Sequence, residues 1–264
     1  MQLYTTSLFT IFFLAPAVFG RSFVGSRVGQ LLASKTVRSL PTGGFPSHLK
    51  LGNAPPDTVN VAELDSIVID CEAGGNPQPT IYWLKNGRRL IQDDDERWEE
   101  NNGTPMLGLG YTHARLFIDC ASSHYDEAEY TCVAENLYHR LSKSTKLTVT
   151  KSNAYHVCLV KKSFVSAGSP ARITMWTHTR LELVGSTVHL FCRPTGAPKP
   201  NVIWFGPDDN EIHNSEKYKI LENGDLEIRN IAWDDMGGYN CTAENMHGFD
   251  RTSTFLYPTL PDKV

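Results

Sequence analysis

The stretch 224–245, GDLEIRNIAWDDMGGYNCTAEN, constrains the fold more than any other part of this 264-residue chain. Leu226 and Ile228 alternate with Glu227 and Arg229, the two-residue period of a strand with one buried face. Asp235 marks a turn. Tyr239 stands two residues before Cys241, a spacing that lets a tyrosine hydroxyl bond back to the backbone of the turn it follows. Cys241 needs a partner across a core. The preceding cysteine, Cys192, lies twelve residues before Trp204, so a strand carrying a tryptophan can pack against a disulfide that ties two sheets together. These features, in this order, describe a sandwich of two β-sheets.

The pattern occurs twice. Cys71 is followed by Trp83 at the same interval, then by Asp126, Tyr130 and Cys132, and the flank VAEN at 133–136 echoes TAEN at 242–245. GNPQPTIYW at 75–83 likewise matches GAPKPNVIW at 196–204, with paired prolines shaping the loop before each tryptophan. The chain therefore resembles two tandem I-set-like immunoglobulin β-sandwiches, an all-β protein whose domains are joined by a linker. The first domain is expected over residues 49–150 and the second over 171–257, with a linker at 151–170 and a C-terminal tail at 258–264. Lys217 is placed to pair with Asp235 at the corner of the second domain.

Ahead of the sandwiches, residues 1–20 have the apolar run Leu8 to Val18 and small residues at a cleavage position, which reads as a signal peptide although no Lys or Arg precedes the run. The run is too short to span a bilayer, no later segment reaches the required length, and the tail PTLPDKV is polar. The expectation is a secreted, extracellular protein with no membrane span. Residues 21–48 form a basic, flexible arm. Its composition suits a solvated leader better than a polyanion-binding element or a processed propeptide. Of the 25 Lys and Arg, five lie within 21–56, and none of the 29 Asp and Glu does, so the remainder is acidic. An acidic surface argues against nucleic acid as a partner.

Catalysis has little to work with. The nine histidines fall in no metal-binding spacing, and the chain has neither a nucleophile elbow nor a phosphate-binding glycine loop, so no catalytic, metal or cofactor residue is assigned. The DDDE run in the long Gly-rich insertion at 93–110 lacks the alternating ligands of a calcium loop and reads as solvated. Two glycosylation tripeptides start at Asn102, where Pro105 weakens the signal, and at Asn240. Six cysteines in an oxidising compartment imply disulfides. Cys71 pairs with Cys132 and Cys192 with Cys241. Cys120 is expected to pair with Cys158 outside the core, because aligning Leu116 with Leu226 sets Cys120 opposite Asn230, an outward position at a corner; the alternative is that one of the two bridges separate chains. Strand parity gathers Tyr82, Leu84 and Val133 on an outer face of the first domain, the expected partner-binding patch, while Ile203 and Phe205 form a rival patch on the second domain beside Asn240.

WDDMGGYNCTAEN, the closing TFLYP at 254–258 and the two additional cysteines resemble the zwei-Ig family of small secreted two-immunoglobulin-domain proteins. NGDLEI, WDDMG and TFLYP are also similar to secreted insulin-binding two-immunoglobulin proteins of insects. The first resemblance implies a non-enzymatic factor that maintains axon and neuronal cell-body position through a neuronal surface or matrix protein. The second implies sequestration of an insulin-like peptide. The extra cysteine pair favours the first.

Overall fold

Alternation of apolar and polar residues sets most of the strands. In Gly110–Ile118, Ala114, Leu116 and Ile118 are buried while His113, Arg115 and Phe117 are half-exposed. The computed structural model describes residues 46–90, 108–151 and 168–260, all within one compact unit, Ser39–Val264. Among these residues the first half holds β1 His48–Leu51, β2 Thr58–Ala62, β3 Ile67–Asn76, β4 Thr80–Lys85, β5 Arg88–Arg89, β6 Gly110–Ile118, β7 Ala128–Glu135 and β8 Arg140–Thr150. The second half holds β9 Ser169–Leu183, β10 Val188–Leu190, β11 Cys192–Ala197, β12 Asn201–Phe205, β13 Tyr218–Ile220, β14 Leu226–Ile228, β15 Gly237–Asn245 and β16 Gly248–Thr259.

In the first sandwich the sheet β2-β8-β7-β4-β5 faces β1-β3-β6, and the Cys71–Cys132 disulfide joins β3 to β7. Ile69, Ile81, Trp83, Leu116, Tyr130 and Leu147 fill the space between. In the second, Cys192–Cys241 joins β11 to β15, and Leu190, Trp204, Leu226, Ile228, Tyr239 and Leu256 are buried around it. The Tyr130 hydroxyl donates to the Asp126 carbonyl and the Tyr239 hydroxyl to the Asp235 carbonyl, each at 3.0 Å. Burial, aided by Asp126, pushes the Tyr130 phenol up to about 12, and burial raises Tyr239 as well. Lys217 meets Asp235 at 2.6 Å. Both proline loops contain a cis bond, Asn76–Pro77 and Ala197–Pro198.

The joint between the sandwiches departs from a simple linker. Residues 152–167 lie outside the described residues, but β9 begins at Ser169 and runs for 15 residues through the boundary. It pairs antiparallel with β6 of the first sandwich, antiparallel with β11 and parallel with β16 of its own. One continuous eight-stranded sheet results, ordered β1-β3-β6-β9-β16-β15-β12, with β11 attached to β9.

The seam is buried and polar at its centre. The Gln78 side-chain amide donates to Thr112 Oγ1 at 3.1 Å and to Thr177 Oγ1 at 2.8 Å, and Thr177 Oγ1 also accepts the Phe191 amide at 2.8 Å. Met175 and Phe191 complete the first core, with the Ile81 amide 3.3 Å from the Met175 sulfur. Arg180, fully buried, donates to the Gly108 carbonyl at 2.9 Å and to Glu182 at 2.6 Å. Burial lowers its guanidinium from the ordinary value, and Glu182 opposes that shift. Glycine is required where the strands approach. A Cβ at Gly108 would stand 2.4 Å from the Leu181 carbonyl oxygen, and one at Gly110 would stand 2.6 Å from the Gln78 side chain.

Candidate interaction surfaces

Three outward regions follow from this framework. On the first sandwich, Tyr82 sits on β4 opposite Val133 of β7, and Val133 in turn sits opposite Ser142 of β8. The Arg89 and Arg140 guanidinium groups lie 4.5 and 5.8 Å from the Tyr82 ring centre, and the Tyr82 hydroxyl donates to Glu135 at 3.3 Å. Burial and the Glu135 charge raise the Tyr82 phenol above its usual value. Val133 itself is only 1 % exposed, which corrects its place in the expected patch: strand parity turns it outward, but it is not an accessible contact. Tyr82 and Leu84 are half-buried and remain accessible, with Arg89 paired to Leu84 in register. The surface is an aromatic ring flanked by cations.

The second region runs along the seam. His113 of β6 stacks on Trp176 of β9 at 5.0 Å, with His178 5.0 Å away and Glu72 at 3.4 Å. Burial lowers the His113 pKa, and Glu72 partly opposes it. Arg115 donates to Asp250 at 2.9 Å, and Arg172 clasps Asp119 at 2.6 and 3.1 Å, so two ion pairs cross between sandwiches. Arg115 also lies over the Trp176 ring at 4.6 Å. Tyr111, Thr179 and Phe255 are successive register partners across β6, β9 and β16, so their side chains share one face, and both rings are more than a third exposed. Nothing in the spacing of these residues reveals the seam, because its bonded partners lie up to 135 positions apart.

The third region is the outer side of β12, β15 and β16, where Ile203 and Phe205 are half-buried and Asn240 is exposed. Asn102, Cys158 and the DDDE run fall outside the described residues. Cys120 is disulfide-bonded and has the left-handed backbone of its counterpart Asn230, φ 53° against 47°. It is 1 % exposed but is not part of the first core, and the turn 64–66 packs alongside: the Cys120 amide donates to Ser66 Oγ at 3.4 Å and the Ala121 amide to the Asp65 carbonyl at 2.8 Å. Among the described residues no group of His, Cys, Asp or Glu could hold a metal ion, and no helix is long and apolar enough to cross a membrane.

Two sandwiches with these corners and core disulfides make the molecule a tandem immunoglobulin protein, a class built for binding. Residues 52–136 match the immunoglobulin domain family and residues 173–257 the immunoglobulin I-set domain family. The zwei Ig domain protein zig-2 of Caenorhabditis elegans is 34% identical over 217 residues, covering 80% of this chain and 86% of that one. The neural/ectodermal development factor IMP-L2 of Drosophila melanogaster is 31% identical over 218 residues, covering 81% and 78%. The crystal structure of IMP-L2 superposes with a TM-score of 0.64 at 27% identity, covering 83% of this chain and 98% of that one. The chain belongs to the zwei Ig family of two-immunoglobulin-domain proteins.

Proposed function

We propose that the protein is a secreted, non-enzymatic binding factor that maintains axon and neuronal cell-body position by holding a neuronal surface or matrix protein against the outer face of its first sandwich. The observation that carries this reading is the Tyr82 ring set between Arg89 and Arg140 beside Leu84, an accessible aromatic anchor of the type that dominates protein interfaces. Membership in the zwei Ig family, and a relative named a neural/ectodermal development factor, support the setting. The signal peptide expected at 1–20 and the core disulfides support an extracellular location.

A second reading, sequestration of an insulin-like peptide, draws support from the insect resemblance of the sequence and from the likeness of both domains together to the insect structure. Direct binding of the mature protein to neuronal ectodomains and to an insulin-like peptide separates the two. For either partner, Tyr82→Ala with Leu84→Ala is expected to weaken binding by about 2 kcal/mol, roughly thirtyfold, while Phe205→Ala leaves it unchanged. The opposite pattern moves the site to the second sandwich.

A further inference from the structure

Strand β15 carries Asn240, Cys241 and Thr242, an N-glycosylation tripeptide. Cys241 is locked in the core disulfide, so parity turns Asn240 outward, where it is exposed. Its cross-strand partners are Phe205 on β12 and Ser253 on β16. On its own strand, Gly238 and Thr242 share its face. Three of these four neighbours are small, and a Cβ built at Gly238 would meet nothing within 4 Å. A shallow depression therefore opens beside Asn240, bounded by Phe205, Asp209, Thr242, Arg251 and Ser253. The corresponding place on the first sandwich is closed: Thr131, two residues from Val133, is buried and shares a 2.8 Å hydrogen bond with Ser144.

We propose that Asn240 carries an N-linked glycan whose first N-acetylglucosamine lies in this depression against the Phe205 ring. The modification joins Asn240 Nδ2 to the anomeric carbon of a lipid-linked oligosaccharide diphosphate. The bond from that carbon to the diphosphate oxygen breaks, the lipid diphosphate departs, and the carboxamide nitrogen loses a proton. Transfer precedes folding of β15, because in the folded chain Thr242 is 5 % exposed and Cys241 is fully buried. A pyranose presents an array of C–H groups on one face, and a half-buried aromatic ring with small neighbours receives that face without displacing side chains. The glycan then covers the outer side of β12 and β15 and closes the second sandwich to a flat protein partner.

Glycopeptide mapping of the full chain secreted from insect cells tests the site directly. Release by peptide N-glycosidase in heavy-oxygen water is expected to convert Asn240 to labelled aspartate, and Asn240→Gln to lose the mass of one glycan. An unmodified Asn240 peptide overturns the proposal. Stacking is tested by comparing glycosylated and enzymatically deglycosylated protein. The sugar is expected to raise Tm by about 2–4 °C in the wild type and not in Phe205→Ala. An equal rise in Phe205→Ala overturns the placement on the ring.

Discussion

The two sandwiches share a tryptophan, a core disulfide and a tyrosine corner, yet they end differently at one edge. In the second, β14 lies between β10 and β13, all drawn from its own residues. In the first, β6 lies between β3 and β9, and β9 belongs to the second sandwich by its pairing with β11 and β16. The cores follow suit. Met175 and Phe191 sit in the first core, whereas among the described residues the second contains none from before Ala171. Two copies of one motif thus differ in autonomy, and a single edge strand makes the difference: unpaired backbone groups along β6 find their partners in the neighbouring domain.

The largest effect expected from breaking this arrangement comes from the buried pair on β9. Glu182→Ala leaves Arg180 without its carboxylate in a site that excludes water, and should destabilise the protein by about 3–5 kcal/mol in urea unfolding. Replacing both with apolar residues of similar volume should restore most of the loss. A Glu182→Ala loss below about 1 kcal/mol would mean that the seam is open to water.

Met175→Ala comes next, at about 2–4 kcal/mol, for a cavity opened in the first core by a residue of the second sandwich. Hydrogen exchange should report the loss at Ile81 and Leu116 as well as on β9. Ile173→Ala, in the second core, serves as the control of similar size. Equal protection of Ile81 in the Met175→Ala variant and the wild type would break the comparison.

The smallest effect is electrostatic. His113 packs against Trp176 with Glu72, Asp70, His178 and Arg115 nearby, and burial holds its pKa below the ordinary value. The unfolded chain therefore takes up a proton near pH 6.5 where the folded protein does not, so this contribution is complete above that pH and is lost as pH falls through the folded value. Unfolding midpoints measured across this range should decline on acidification, and more weakly in His113→Gln. An identical slope in the variant would assign the decline to other groups.

What could be read from the sequence was local. The position of Trp204 after Cys192 and of Tyr239 before Cys241, and the pairing of Lys217 with Asp235, depend on residues held in one strand or one corner, where spacing dictates geometry. Parity assigns a face but not its exposure, which is why Val133 lies buried on the outer face beside Tyr82, and why Cys120 shares Asn230's backbone but not its exposure. The seam was illegible for a related reason. Alternation along 169–183 marks a strand without naming the strands beside it, and the glycine at 108, which looks like a loop residue, is there to let β9 come close, as the one at 110 makes room for Gln78.

Calorimetric unfolding of the mature chain tests the central claim that β9 makes the two sandwiches one cooperative unit. A single transition is expected, with calorimetric and van't Hoff enthalpies in agreement, and Met175→Ala should move that transition as a whole. Two resolved transitions, with Met175→Ala shifting only the one that belongs to the second sandwich, would contradict it.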